Sequence, residues 1–198
     1  VCTGSVMRRA VKRGFDLAAA LVLLLVSWPF MLLTAAAILL ESRGQGPVLY
    51  RQQRVGENDA LFTLIKFRSM RTDAEVAGAC WAQLNDDRVT RVGRFIRKVR
   101  LDELPQLWNV LCGEMSIVGP RPERPEFVEG FKQRIPYYGL RHCVTPGLTG
   151  WAQLRYPYGA SEADAIEKLR YDLYYVKNHD FQFDLMVLLQ TVEVVLFG

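Results

Sequence analysis

The chain has 198 residues, half of them hydrophobic and 23% charged, with a formal net charge of +4. That length builds one domain with a full core and leaves little room for two, and a mean hydropathy of +0.04 at this charge content excludes an evenly mixed surface: the apolar residues must be gathered into segments. The mild basic excess suits anionic partners such as lipid headgroups or phosphorylated substrates, while the lack of a Lys/Arg run interleaved with aromatics speaks against nucleic acid.

Residues 1–16 are polar and basic, with Arg8, Arg9, Lys12 and Arg13. They lead into residues 17–40, a run of 24 without a charge, roughly 36 Å long as a helix and enough to cross a bilayer. The run is longer than the apolar region of a secretory signal. Pro29 sits in its middle, where it removes a backbone hydrogen bond and crowds the preceding turn. Ser27 and Thr34 carry hydroxyls able to satisfy freed carbonyls. Arg8 to Arg13 on one flank and Arg43, Arg51 and Arg54 on the other make both flanks basic, and basic flanks favour the cytoplasm. The expectation is a re-entrant helix, kinked at Pro29, entering and leaving one leaflet; the alternative is a Pro-kinked spanning helix.

A turn over residues 44–47 follows, then two β-like stretches, residues 48–52 and 61–67, joined by a loop at 56–59 as a hairpin. Residues 68–100 are mixed and charged, read as helices and loops ending in Arg94, Arg97, Lys98 and Arg100. Leu101, Leu104, Leu107, Trp108 and Leu111 then share one helical face, which Gly113 ends. A Gly/Pro-rich loop, SIVGPRPERPEF, precedes a helix over residues 125–134. Thr145-Pro146-Gly147 reads as a tight turn with Gly147 at positive φ. Residues 162–178 are helical. Residues 181–198 form a second, shorter apolar segment whose Asp184, Gln190 and Glu193 place it at an interface or in the core. The fold class is mainly α with a small β-hairpin: one membrane-associated domain comprising a basic segment (1–16), a re-entrant membrane helix (17–40) and a catalytic region (41–198).

Chemistry is sought first in RLDELPQLWNVLCGEMSIVGPRP, residues 100–122. Pro105 is tolerated only in the first turn of a helix, which puts Asp102 and Glu103 at the helix start, among free N–H groups and the positive end of the dipole. Arg97, Lys98 and Arg100 lie upstream, Arg121 and Arg124 downstream. Paired carboxylates, a metal ion and several arginines together make a diphosphate site. The competing account makes Asp102 an N-cap and Glu103 a partner of the helix dipole. There is no P-loop, GxGxxG or Ser/His/Asp arrangement. Cys2, Cys80, Cys112 and Cys143 form no CxxC pair, and His142 and His179 do not complete a zinc spacing.

In order, KRGFDL, YRQQRVG, KFRSM, RVTRVGRF, LDELPQLWNVLCGEMSIVGPRP, PGLTGWAQ and YDLYYVKN cover residues 12 to 178. The pattern resembles the bacterial sugar transferases, the monotopic phosphoglycosyl transferases, and RYPYGAS is similar to members that start exopolysaccharide synthesis. Those members often carry further N-terminal helices, in keeping with a chain that opens on Val1. The resemblance implies a re-entrant helix broken at a Ser-Pro pair; here Pro29 matches, Trp28 stands in place of the serine, and Ser27 lies one position early. It makes Asp102 the nucleophile and Glu103 its partner, and gives both to Mg²⁺. It assigns Arg97, Arg121 and Lys66 to substrate phosphate, with Pro120 and Pro122 shaping the loop around Arg121. Thr145 stands where some members carry a cation.

The implied reaction moves a sugar-1-phosphate from a UDP-sugar to polyprenyl phosphate through a covalent aspartyl phosphosugar, with UMP leaving. The implied setting is the cytoplasmic face of the bacterial inner membrane. A homodimer is left open, and the sugar is not legible. Two other readings stand beside this one: an enzyme that uses the dyad only for metal, and a catalytically silent membrane-anchored scaffold of polysaccharide assembly.

Overall fold

The computed structural model describes residues 6–74, 86–156 and 161–197. Residues 75–85 of the charged segment and 157–160 of RYPYGAS lie outside the described residues.

The apolar run is helical throughout. Helix α1, Val6–Glu41, is 36 residues long with Pro29 inside it, and it carries the one stretch among the described residues that is long and apolar enough to cross a membrane. The Ser27 hydroxyl turns to Met31 Sδ (3.8 Å). Buried or half-buried positions recur at Asp16, Ala20, Leu24, Ser27, Met31, Thr34 and Ile38, steps of three and four that draw one stripe along the helix. Both ends of that stripe are fixed to the rest of the fold. Near the N-terminus, Asp16 accepts from the Ser116 hydroxyl and the Ile117 N–H, and the Arg13 guanidinium donates to the carbonyls of Val110 and Leu111. Near the C-terminus, Ile38 is buried with Phe67 and Ile96, and the Glu41 carboxylate accepts from the N–H groups of Arg91 and Val92. The opposite face is bare hydrocarbon: Leu25 is 74% exposed and Leu40 80%.

Strands β1, Leu49–Val55, and β2, Leu61–Phe67, form the expected antiparallel hairpin, with β1 starting one residue later and running three residues further than its apolar content suggested. Tyr50, Gln52 and Arg54 alternate onto one face, and Lys66 lies opposite Tyr50 on that face. Helix α2, Arg91–Lys98, starts at an N-cap on Thr90. A Cβ at Gly93 would meet the Ser69 carbonyl oxygen at 1.9 Å, so only glycine lets α2 sit this close to the hairpin's extension.

Helix α3, Gln106–Cys112, ends at Gly113 in the left-handed region (φ 85°), as the sequence predicted. Leu107 and Val110 are fully buried in the main core with Ala20, Phe62 and Leu64. Trp108 is not: it is 59% exposed, one step round the helix from that face. Buried Asn109 ties α3 to β2, its amide oxygen accepting from Ile65 N–H and its amide nitrogen donating to the Thr63 carbonyl.

Two short strands, β3 (Ser116–Val118) and β4 (Gly147–Thr149), pair in parallel. The reading of Gly147 as a positive-φ turn residue is corrected here. It opens β4, and glycine is required for closeness: a Cβ would stand 2.1 Å from Gly119 N. Helices α4 (Pro125–Arg134), α5 (Trp151–Arg155), α6 (Glu162–Asn178) and α7 (Phe181–Phe197) complete the fold. A Ser161–Asp164 capping box starts α6. In α7, Asp184 and Val187 are buried and Leu189 is exposed, which makes it a surface helix with one inner face.

Candidate active site

Asp102 and Glu103 lie on a 3₁₀ turn, Leu101–Glu103, just ahead of α3 instead of in its first turn. The turn is entered through Arg100, whose backbone is left-handed (φ 60°, ψ 14°). A side chain in that region costs on the order of 1 kcal/mol, strain that the packing of α2 and α3 on either side must hold. Asp102 makes no capping hydrogen bond to either helical segment, so the N-cap account does not describe it. Its side chain is buried, and among the described residues its carboxylate has neither a hydrogen bond nor an ion pair. Burial, then the charge of Glu103, pushes its pKa up to about 6 despite the opposing pull of Lys66, Arg97 and Arg121.

Glu103 is held differently. Burial pushes its pKa up, but the Arg121 guanidinium, ion-paired and hydrogen-bonded to it, outweighs burial and lowers it. The two adjacent carboxylates are thus driven apart, one ionised and clamped, the other poised near neutrality and unclamped. Glu103 in turn raises the pKa of Arg121.

The dyad opens into a cavity of about 420 Å³, large enough for a nucleotide-sugar. Its described lining holds nine lysines and arginines against four carboxylates, an excess suited to an anion. The structure brings Lys66, Arg97 and Arg121 together with the dyad along this lining. Lys98 is exposed and absent from the described lining, whereas Arg97 is half-buried and part of it. Burial, then the charges of Arg54 and Arg121, lowers Lys66 to about 8, so its ammonium is still favoured roughly tenfold at neutral pH. Pro120 and Pro122 flank Arg121 in an extended loop between β3 and α4. Pro29 lies far along α1 and outside the cavity lining.

Sequence reasoning missed several lining residues. Gln52 and Arg54 were visible in principle as the alternate positions of YRQQRVG once that stretch is read as a strand. Arg141 and Asp172, a buried ion pair (2.7 Å) between the 3₁₀ segment Tyr138–Cys143 and α6, had no local signal. Thr145 donates to Glu57 (2.6 Å) and is absent from the described lining.

A magnesium ion fits this donor set in one manner only. Among the described residues no three His, Cys, Asp or Glu side chains are grouped to hold a metal. Asp102 offers an unpaired carboxylate beside a cavity lined by an excess of cations, the kind of single carboxylate that can join Mg²⁺ when a substrate's phosphates supply its other oxygens.

A buried carboxylate pair beside a cation-lined cavity is the chemistry the chain presents, and the chain belongs to the bacterial sugar transferase family. Residues 7–198 match the bacterial sugar transferase family. Over 188 residues the chain is 47% identical to a UDP-N-acetylgalactosamine-undecaprenyl-phosphate N-acetylgalactosaminephosphotransferase of Aeromonas hydrophila, covering 95% of the chain and 44% of the relative. It is 43% identical to an undecaprenyl-phosphate glucose phosphotransferase of Komagataeibacter xylinus (94% of the chain, 36% of the relative). It is 42% identical to exopolysaccharide production protein PSS of Rhizobium leguminosarum bv. phaseoli, covering 94% and 95% respectively. The chain thus spans less than half the length of the first two relatives and nearly all of the third.

Proposed function

We propose that the chain transfers a sugar-1-phosphate from a UDP-sugar to polyprenyl phosphate at the cytoplasmic face of the bacterial inner membrane. The observation that carries this reading is the Asp102 carboxylate, buried, unpaired and raised to about 6 beside a cation-lined cavity. A carboxylate that served only as a helix cap would be hydrogen-bonded and ordinary in its pKa.

In the first half-reaction an Asp102 oxygen attacks the β-phosphorus of the UDP-sugar. The bond from that phosphorus to the bridging oxygen breaks, and UMP leaves with the electron pair, so an aspartyl phosphosugar remains. In the second, a phosphate oxygen of the lipid attacks the same phosphorus, Asp102 departs as a carboxylate, and polyprenyl-diphospho-sugar forms. Arg121, Arg97 and Lys66 bind phosphate oxygens and offset their charge in both steps. Glu103 holds Arg121 in place and reinforces the charge pattern around Asp102. A bound Mg²⁺ would neutralise the diphosphate; Asp102 and Glu103 are the residues that would hold it, Asp102 the more available of the two.

The arrangement of α1 supports a monotopic, re-entrant seat in the membrane. A helix that spanned the bilayer would carry one end about 30 Å from the other across hydrocarbon, with its flanks on opposite sides. Here both flanks are fixed to one body, and the contact stripe runs from Asp16 to Ile38 while the outer face stays apolar. Single cysteines at Val11 and Gln45 are expected to react equally with an impermeant thiol reagent from the cytoplasmic side and not from the other. Labelling from opposite sides would refute the re-entrant reading.

The experiment for function is UMP release across a panel of UDP-sugars with undecaprenyl phosphate as acceptor. Release is expected with at least one sugar, to be lost in excess chelator and restored by Mg²⁺. No release with any sugar would leave the scaffold reading in its place, and release without a covalent adduct would favour a dyad that serves metal alone.

A further inference from the structure

Pro120 and Pro122 have no N–H, so the loop carrying Arg121 cannot join a ladder through those residues, and its carbonyls need donors from elsewhere. Four successive carbonyls have them. Gly147 N–H donates to Pro120 O (2.9 Å), Arg141 Nη2 to Arg121 O (2.9 Å), Arg54 Nη1 to Pro122 O (2.9 Å) and Val55 N–H to Glu123 O (3.0 Å). Two of the four are side chains reaching in from separate elements, and both line the cavity.

Each arginine is itself braced. Arg54 Nη2 donates to Gln52 Oε1 (2.6 Å), and Glu123 lies 3.8 Å from Nη1. Arg141 is buried, paired through Nε and Nη2 with Asp172 and through Nη1 with the Tyr138 hydroxyl (2.9 Å). A planar, always-charged fork holds its donors at fixed, separated positions, so it can reach two acceptors on opposite sides, whereas a lysine gathers its donors on one nitrogen. Arg54 stays cationic at neutral pH, since burial brings it down only to about 10.

We infer that Arg54 and Arg141 are positioning residues that clamp the Pro120–Arg121–Pro122 backbone, fixing the Arg121 side chain on Glu103 and over the diphosphate. The inference rests on the proposed transfer reaction. Arg141 is too deeply paired for a clean test, because removing it strands the buried Asp172 charge. Arg54 serves better, at the hairpin edge and half-buried.

The test is a double-mutant cycle on the full chain, read by UMP release, with thermal unfolding of each variant measured alongside. If Arg54 acts through Arg121, Arg54→Gln lowers kcat/KM by roughly thirtyfold in the native background and by less than about threefold when Arg121 is already alanine. Arg54→Lys, which keeps the charge without the fork, is expected midway, and it carries the same cycle if the glutamine variant does not fold. Equal losses in both backgrounds, or losses that simply follow the unfolding temperature, would overturn the clamp while leaving the transfer reaction standing. A native protein that releases no UMP would overturn both.

Discussion

Asp102→Asn is expected to abolish turnover and to make the protein more stable at the same time. Asparagine keeps the shape of the side chain but supplies no nucleophile, so kcat should fall by on the order of a thousandfold or more. With a UDP-sugar and no acceptor, the native protein should gain the mass of one phosphosugar, mapped to the peptide holding Asp102, and the variant should gain none. The stability gain follows from the raised pKa. Between the ordinary carboxylate value of 3.8 and about 6, the folded protein keeps a proton that the unfolded chain releases. Stability is therefore lost as pH rises through that window, and the whole cost is present above it. Asparagine escapes the cost, which is on the order of 1–3 kcal/mol and worth a few degrees in Tm. The same carboxylate should give kcat/KM an acid limb near pH 6, because only the ionised form attacks. An active Asp102→Asn protein, or one destabilised by the change, would show that the side chain is a structural partner and not a strained reactive group.

What was legible in the sequence follows the range of the forces involved. The apolar part of α1, the hairpin, α4 and α6 were readable because periodicity, Gly and Pro punctuation and caps act within a few residues. By contrast, α1 starts at Val6 within the segment read as basic and runs through Pro29 as one helix. Local reasoning failed where tertiary packing decides. Trp108 falls on the apolar arc of a helical wheel, yet in α3 the core takes Leu107 and Val110, with Leu111 packed against it, and leaves Trp108 outside. Gly147 carries the signature of a turn, but it is demanded by the closeness of β3 to β4. The dyad, with Arg97 and Arg121 around it, was legible because it lies within 25 residues of one motif. Arg54 and Arg141 were not. Their partners Pro122 and Arg121 stand 68 and 20 positions away, and no spacing rule joins a hairpin strand to a 3₁₀ segment across a proline loop.

Arg121→Ala tests whether the two carboxylates need to be kept different. In the native fold, burial of Glu103 is offset by Arg121, so Glu103 is ionised and held while Asp102 is left to react. Without the guanidinium, burial is opposed only by the more weakly acting charges of Arg100 and Lys66, the Glu103 pKa rises, and a carboxylate only 14% exposed loses its partner. Arg121 is itself 40% exposed, so solvent tempers the loss, and a destabilisation of about 1–2 kcal/mol is expected. The catalytic loss should be larger than the stability loss. A charge-assisted contact to the diphosphate disappears together with the order of the dyad, and kcat/KM should fall by about a hundredfold to a thousandfold. Arg121→Lys keeps the charge without the fork, so it should recover stability better than activity. The acid limb supplies a second readout. Once Glu103 titrates within the working range, the limb should move to higher pH and steepen, because two coupled carboxylates must then ionise instead of one. If Arg121→Ala keeps activity within a few-fold of the native protein, with its acid limb unmoved, the loop between Pro120 and Pro122 is a packing feature and the asymmetry of the dyad has another source.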